Sequence, residues 1–264
     1  MLVLHGILGT KSNWRALIKR VIATNPTWGA LLVDLRNHGE SRGFPPPHTL
    51  EAAAQDLVRL TQTVDVRVDA IVGHSYGGKV AMAYARAVHG ELHRLVVVDS
   101  TPGARPDATG SEGTLRVVAL LAEMRGVFPT REAFVAELLA GGQSRELATW
   151  LAMNLERVEG EGAAGFRFGL DIDAVRAMLD DYLAQDLWDV VARPPGRMGV
   201  EVLIGADSTV VDADDRTRFA HIAAEQPARV HVHLVQGAGH WVHVDQPDAT
   251  VALLAEAFRA DATA

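Results

Sequence analysis

Short apolar runs alternate with stretches in which apolar residues recur every three or four positions. The runs fall at residues 1–4, 30–33, 70–72, 95–98, 201–204 and 230–235, and their length and β-branched content predict strands. Helix-patterned segments between them predict a mostly parallel sheet with helices on both faces, an α/β fold. Between residues 103 and 199 the strand signal vanishes. Leu147, Trp150, Leu151, Asn154 and Leu155 share helical spacing there, as do Val175, Met178, Leu179 and Tyr182, and Pro194-Pro195-Gly196 closes the stretch. The pattern predicts a core of residues 1–102 and 197–264 interrupted by a helical cap of residues 103–196. Most apolar stripes in such a segment are plain packing, but a cap over strand C-termini would also roof the crevice where open α/β sheets bind ligands.

Composition narrows the function. A chain of 264 residues, 48% of them hydrophobic, can bury one large core, and nothing in it requires a second independent domain. With no cysteine, disulfides, zinc–thiolate sites and a thiol nucleophile are excluded. The formal charge of −8 and the lack of a basic stripe argue against nucleic acid as a partner. No apolar run approaches the ~20 residues of a membrane helix, and the first residues lack the charged and apolar regions of a secretion signal. A cytoplasmic enzyme is the expectation.

The candidate chemistry starts at Gly73-His74-Ser75-Tyr76-Gly77, between the run at 70–72 and a helix pattern at 78–88. A G-x-S-x-G pentapeptide occurs by chance, but strand before and helix after is the setting of a nucleophile elbow, with Ser75 as nucleophile. Gly73 and Gly77 are then needed because a Cβ in so tight a turn would collide with the neighbouring strand or helix. Such a turn places the hydroxyl at a helix N-terminus, where free amides favour developing negative charge. The amide of Tyr76 is one candidate oxyanion donor. The loop His5-Gly6-Ile7-Leu8-Gly9 after the first strand offers a second, most simply the amide of Ile7. After the last strand, Gly237-Ala238-Gly239-His240-Trp241-Val242-His243 supplies His240 as general base.

These segments, together with Asp34-Leu35-Arg36-Asn37-His38-Gly39-Glu40-Ser41 and the Gly78-Lys79 pair after the elbow, resemble the α/β-hydrolase superfamily over nearly the whole chain, His5 to His243. The D-L-R-N-H-G-x-S stretch, the lysine and the G-A-G-H-W-V-H loop resemble more narrowly an acyl-esterase branch that includes bacterial esterases and a mitochondrial member. The resemblance implies an α/β-hydrolase fold, no cofactor, and cleavage of a small-molecule acyl ester through a Ser-His-Asp triad and an acyl-enzyme. Most relatives carry the acid three residues beyond a glycine after the next-to-last strand. Here that count from Gly205 lands on Ser208, and Asp207 sits one residue early. In the resembled branch the acid instead follows the preceding strand directly, which points to Asp99, with Asp207 as the alternative. Asp34, also at a strand end, is expected to bind loop amides. An acyl-CoA thioesterase or a C–C bond hydrolase would use the same triad, and a catalytically silent binding module would commonly have lost Ser75 or His240.

Other features carry less. Gly6 to Ser12 imitates a phosphate loop but lacks the glycine before its lysine and is one residue short. His231, His233, His240 and His243 invite a metal, yet no carboxylate stands at ligand spacing in a defined motif, so none is expected. Asp212, Asp214 and Asp215 read as a solvated helix start. The fold usually places two strands before the one that here begins at Met1. The run at 30–33 is therefore expected to be an open, apolar edge, implying self-association or a sequence lacking its native first residues.

Overall fold

The computed structural model describes residues 1–124, 126–159 and 164–259. Its strands are β1 (Leu2–Leu4), β2 (Leu31–Val33), β3 (Ala70–His74), β4 (Arg94–Val98), β5 (Leu155–Val158), β6 (Gly165–Phe168), β7 (Gly199–Gly205) and β8 (Val230–Val235). The helices are α1 (Ser12–Thr24), α2 (Leu50–Thr63), α3 (Tyr76–Ala87), α4 (Glu112–Glu123), α5 (Arg131–Ala140), α6 (Arg145–Leu151), α7 (Ile172–Ala184), α8 (Trp188–Ala192), α9 (Ala213–Glu225), α10 (Val242–Asp245) and α11 (Pro247–Arg259). Six strands pair in parallel in the order β2-β1-β3-β4-β7-β8. This is the α/β-hydrolase fold, with helices on both faces of a parallel sheet.

Side-chain alternation along the strands builds two apolar layers. Leu2, Leu4, Leu95, Val97, Val200 and Val202 face α2, α3 and α9, whereas Val3, Val72, Val96, Val98 and Leu203 face α1 and α11. Each such side chain, fully buried, contributes about 1.5–3 kcal/mol relative to exposure. Helix α1 meets its layer through Trp14, Leu17, Ile18 and Val21, one turn apart. In α2 the Thr49 hydroxyl caps the first turn by accepting from the Ala52 amide at 3.1 Å, and Leu50, Ala53, Ala54 and Leu57 face inward. As the first strand's position suggested, β2 lies at an edge and pairs with β1 alone among the described residues.

The chain runs outward from β1 to β2, then returns to the other side of β1 for β3 and everything after it. That reversal sets the C-terminal ends of β1 and β3 side by side, with Leu4 in register with Gly73. Ligand crevices of open α/β sheets form at such a point.

The segment between β4 and β7 has its own apolar cluster, in which Val117, Leu121, Phe134, Leu138, Leu151 and Val175 close around Leu8 from the loop after β1. One feature departs from the sequence reading. Helix α6 ends at Leu151, a single 3₁₀ turn follows at Ala152–Asn154, and β5 and β6 form an antiparallel pair where helix alone was expected. Phe128 and Phe166 exchange backbone hydrogen bonds of 2.7 Å at the edge of that pair. The strands escape notice because Glu156, Arg157 and Arg167 break up their apolar positions, while Leu155 happens to continue the spacing of Leu151.

Lys79, fully buried, ties this segment to α3. Its ammonium donates to the carbonyls of Gly103 (2.8 Å), Tyr182 (2.6 Å) and Gln185 (2.9 Å) and lies 4.4 Å from the Tyr182 ring centre. Burial lowers its pKa to about 8, and three carbonyls with a ring face offset much of the lost hydration.

Candidate active site

Ser75 is held at φ 54°, ψ −122°, immediately before α3. A residue other than glycine at such a φ stores about 1–3 kcal/mol of strain, and the packing around it shows why no other path is open. A Cβ on Gly73 would fall on the Gly77 carbonyl, and one on Gly77 would fall on the His5 carbonyl. Strand, turn and helix are therefore in backbone contact, and the Ser75 amide still reaches the Val98 carbonyl of β4 at 3.0 Å. The hydroxyl is thrust out at the positive end of a 12-residue helix.

His240, in the loop after β8, lies with Nε2 3.0 Å from the Ser75 hydroxyl and Nδ1 2.7 Å from Asp99 Oδ2. A proton on Nδ1, donated to the carboxylate, leaves Nε2 as the acceptor for the serine proton. Asp99, fully buried at the end of β4, sits at φ 44° and donates its amide to the Leu203 carbonyl at 2.7 Å. Its carboxylate also accepts from the Gly205 amide (2.9 Å) and the Ser208 hydroxyl (2.5 Å), so three donors replace its lost hydration. Asp207 is exposed, and its amide donates to the Ala238 carbonyl at 2.9 Å. Of the two carboxylates, only Asp99 reaches His240. Ser208, three residues beyond Gly205, points its hydroxyl at the Asp99 carboxylate just after β4. The displaced count from Gly205 was the available signal for that serine.

The loop after β1 is pinned one residue beyond Ile7. Leu8, at φ 63°, donates its amide to the imidazole Nε2 of His38 (3.0 Å) and accepts the Asn154 side-chain amide on its carbonyl (2.9 Å), while Gly9 N donates to Gly6 O at 3.0 Å. Neither the Ile7 nor the Tyr76 amide donates to another backbone group among the described residues. Both residues border the same small space beside Ser75 and His240. Asn154 was not anticipated as part of the site. A polar residue in an otherwise apolar stripe was its only trace in the sequence.

Four histidines pack in and behind this site as neutral rings. His74 donates from Nε2 to the His240 carbonyl at 2.8 Å, with ring centres 4.7 Å from His240 and 4.8 Å from His243, which itself stacks on Trp14 at 4.4 Å. His5 accepts the Leu35 amide at 3.0 Å, as His38 accepts that of Leu8. Burial, with His38 close by, lowers the pKa of His5 to about 3. Burial, with His240 beside it, lowers that of His243 to about 4, and burial holds His38 below and His74 well below the ordinary value. Their contribution to stability is complete above the unfolded value of ~6.5 and is lost as pH falls toward the folded values, because the unfolded chain then binds the protons. The expected result is an unfolding free energy, and with it a denaturant midpoint, that falls between pH 7 and pH 5, the free energy by up to ~1.4 kcal/mol per pH unit for each histidine, before most carboxylates titrate. In His38→Asn the slope is shallower. A midpoint flat over that interval would contradict this account.

The remaining candidates resolve locally. Asp34 accepts the amides of Lys11 (2.7 Å) and Glu40 (3.0 Å) and the Lys11 ammonium (2.8 Å), the binding of loop amides expected of it. His231 and His233 both lean on the buried Glu201, at 3.0 and 2.8 Å, away from His240 and His243, and no metal-holding group of three occurs among the described residues. Asp212 caps α9 through the Asp215 amide (2.8 Å), but Asp215 is buried, not solvated, and pairs with Arg105 at 2.5 Å. No helix among the described residues is long and apolar enough to cross a membrane.

Residues 1–253 match the Alpha/beta hydrolase family. Mouse (Mus musculus) sn-1-specific diacylglycerol lipase ABHD11 is 30% identical over 270 residues, covering 96% of this chain and 80% of its own. Esterase YbfF of Escherichia coli (strain K12) is 27% identical over 256 residues, covering 95% and 89%. Among solved structures, a marine microorganism esterase shares the fold with a TM-score of 0.80 at 24% identity, covering 97% of this chain and 93% of its own. With the match spanning nearly every element from β1 to α11, the chain belongs to the alpha/beta hydrolase family and has ester hydrolases among its relatives.

Proposed function

We propose that the protein hydrolyses carboxylic esters through Ser75, His240 and Asp99. The observation that carries this reading is the unbroken relay from the Ser75 hydroxyl through both nitrogens of His240 to a buried carboxylate, at 3.0 and 2.7 Å. Ser75 Oγ attacks the ester carbonyl carbon as His240 Nε2 takes its proton, and the amides of Ile7 and Tyr76 donate to the resulting oxyanion. His240 then returns the proton to the departing alkoxide, leaving an acyl-serine. Water attacks that acyl carbon as His240 takes its proton, the acid departs, and Ser75 recovers its hydrogen. Asp99 holds the imidazole in the tautomer that can accept at Nε2 and stabilises the imidazolium without taking the proton. No metal or cofactor enters these steps.

The segment of residues 103–196 acts in this proposal as a cap. It contributes Val117, Leu147 and Trp150 to a cavity of about 300 Å³ whose floor is Ser75 and His240. The names of the relatives, a diacylglycerol lipase and an esterase, support an acyl ester as the substrate. A fluorophosphonate probe is expected to label Ser75 and no other serine, read by peptide mass spectrometry. A folded, monodisperse sample that stays unlabelled would favour a silent binding module instead.

A further inference from the structure

Resting on that reading, we infer that the site takes esters whose acyl arm is uncharged and apolar to its end, and that Trp150 and Trp241 set the arm's length. The apolar wall of the cavity beside Ser75 is formed by Leu8, Val117, Leu147, Trp150, Trp241 and Val244, and no Asp, Glu, Lys or Arg among the described residues lines it. Two of its lining histidines, His5 and His243, carry no charge to meet an anion, since burial depresses both. The polar side chains that also line it, Asn13, Thr114 and Gln143, are neutral, so an arm ending in a carboxylate would exchange its hydration for uncharged donors with no counter-charge. An alkyl arm loses nothing and gains apolar contact.

Two of the lining residues touch each other across it. Trp150 of α6 meets Trp241 edge to face, ring centres 4.7 Å apart, joining the inserted segment to the loop that carries His240. A second space of about 20 Å³ borders Ser75, Tyr76, Tyr182 and His240. It has room for about one water, the size of the nucleophile that must reach the acyl carbon while the arm fills the larger cavity.

The test compares p-nitrophenyl hexanoate with the mono-p-nitrophenyl ester of hexanedioic acid, identical except for the terminal carboxylate, together with p-nitrophenyl esters of acyl chains from acetate to dodecanoate. Wild type is expected to favour the uncharged ester in kcat/KM by at least about a hundredfold. Trp150→Ala is expected to move the chain-length optimum at least two carbons longer, mainly through KM. Leu147→Lys, which places an ammonium in the wall, is expected to raise kcat/KM for the carboxylate ester and lower it for hexanoate. Equal turnover of the matched pair, abolished in Ser75→Ala, would overturn the charge selectivity while leaving the hydrolase reading intact. An unchanged length profile in folded Trp150→Ala would overturn the role of the tryptophan pair. Release of p-nitrophenolate from neither ester by wild type would overturn the hydrolase reading and this inference with it.

Discussion

Ser75→Ala is expected to lower the turnover of an activated ester by about 10³-fold or more, and His240→Ala by a similar factor, with the double variant little worse than either. The hydroxyl and the imidazole act as one unit, since a serine without its base is a weak nucleophile and a base without its serine has nothing to activate. What survives is the contribution of the Ile7 and Tyr76 amides and of the cavity, which bind the ester whether or not the relay is complete. Both alanine variants should keep the wild-type circular dichroism spectrum and KM within a few fold. A companion measurement isolates the backbone. Ser75→Gly removes the same hydroxyl but also relieves the strain of φ 54°, so it should unfold at higher denaturant concentration than Ser75→Ala, its unfolding free energy greater by about 1 kcal/mol. Near wild-type turnover in Ser75→Ala would end the serine-hydrolase reading, and equal stability of the glycine and alanine variants would remove the strain argument alone.

How far the sequence discloses this arrangement depends on whether a feature is local. Four of the six sheet strands, β1, β3, β4 and β7, are legible because their largely apolar runs are buried on both faces, the half-exposed β8 because Val230, Val232 and Leu234 alternate with the polar His231 and His233, and the elbow because backbone contact leaves glycine as the only fit at 73 and 77. The geometry between Asp99 and His240 has a local trace too, because a strand that runs directly into an aspartate can present it at the crevice. The pair β5 and β6 has none, since its apolar residues face the cluster of the segment between β4 and β7 only once Phe128 closes its edge. The support of the loop after β1 is equally non-local. His38 and Asn154 hold opposite sides of Leu8 from sequence separations of 30 and 146 residues, and no spacing rule connects them. The histidine layer behind His240 falls between these cases: His74 and His243 stand in recognisable motifs, but their common contact and their neutrality follow from burial against each other and Trp14.

Asp99→Asn is expected to lower turnover by about 10² to 10⁴-fold with KM changed only a few fold, whereas Asp207→Asn should cost less than about tenfold. The asparagine amide can accept from His240 Nδ1–H with its oxygen, but it can equally donate through its nitrogen, and that arrangement leaves the ring proton on Nε2, where it cannot take the proton of Ser75. The Gly205 amide, which donates to Oδ1 at 2.9 Å and cannot accept, biases the outcome by holding the asparagine oxygen at that position. The nitrogen then takes the place of Oδ2, facing His240 and the Ser208 hydroxyl, which can turn to accept. The substitution is also a clean one for the backbone. Asp99 sits at φ 44°, in the left-handed region that asparagine tolerates better than most residues, so a loss of activity is not a loss of fold, and Asp99→Ala would be the poorer test. Ser208→Ala removes one of the three donors without changing the tautomer and should reduce turnover by about tenfold or less. Steady-state rates on one activated ester, with denaturation midpoints alongside, distinguish these cases. A larger loss in Asp207→Asn than in Asp99→Asn would transfer the acid to Asp207 and require the loop after β7 to rearrange before catalysis.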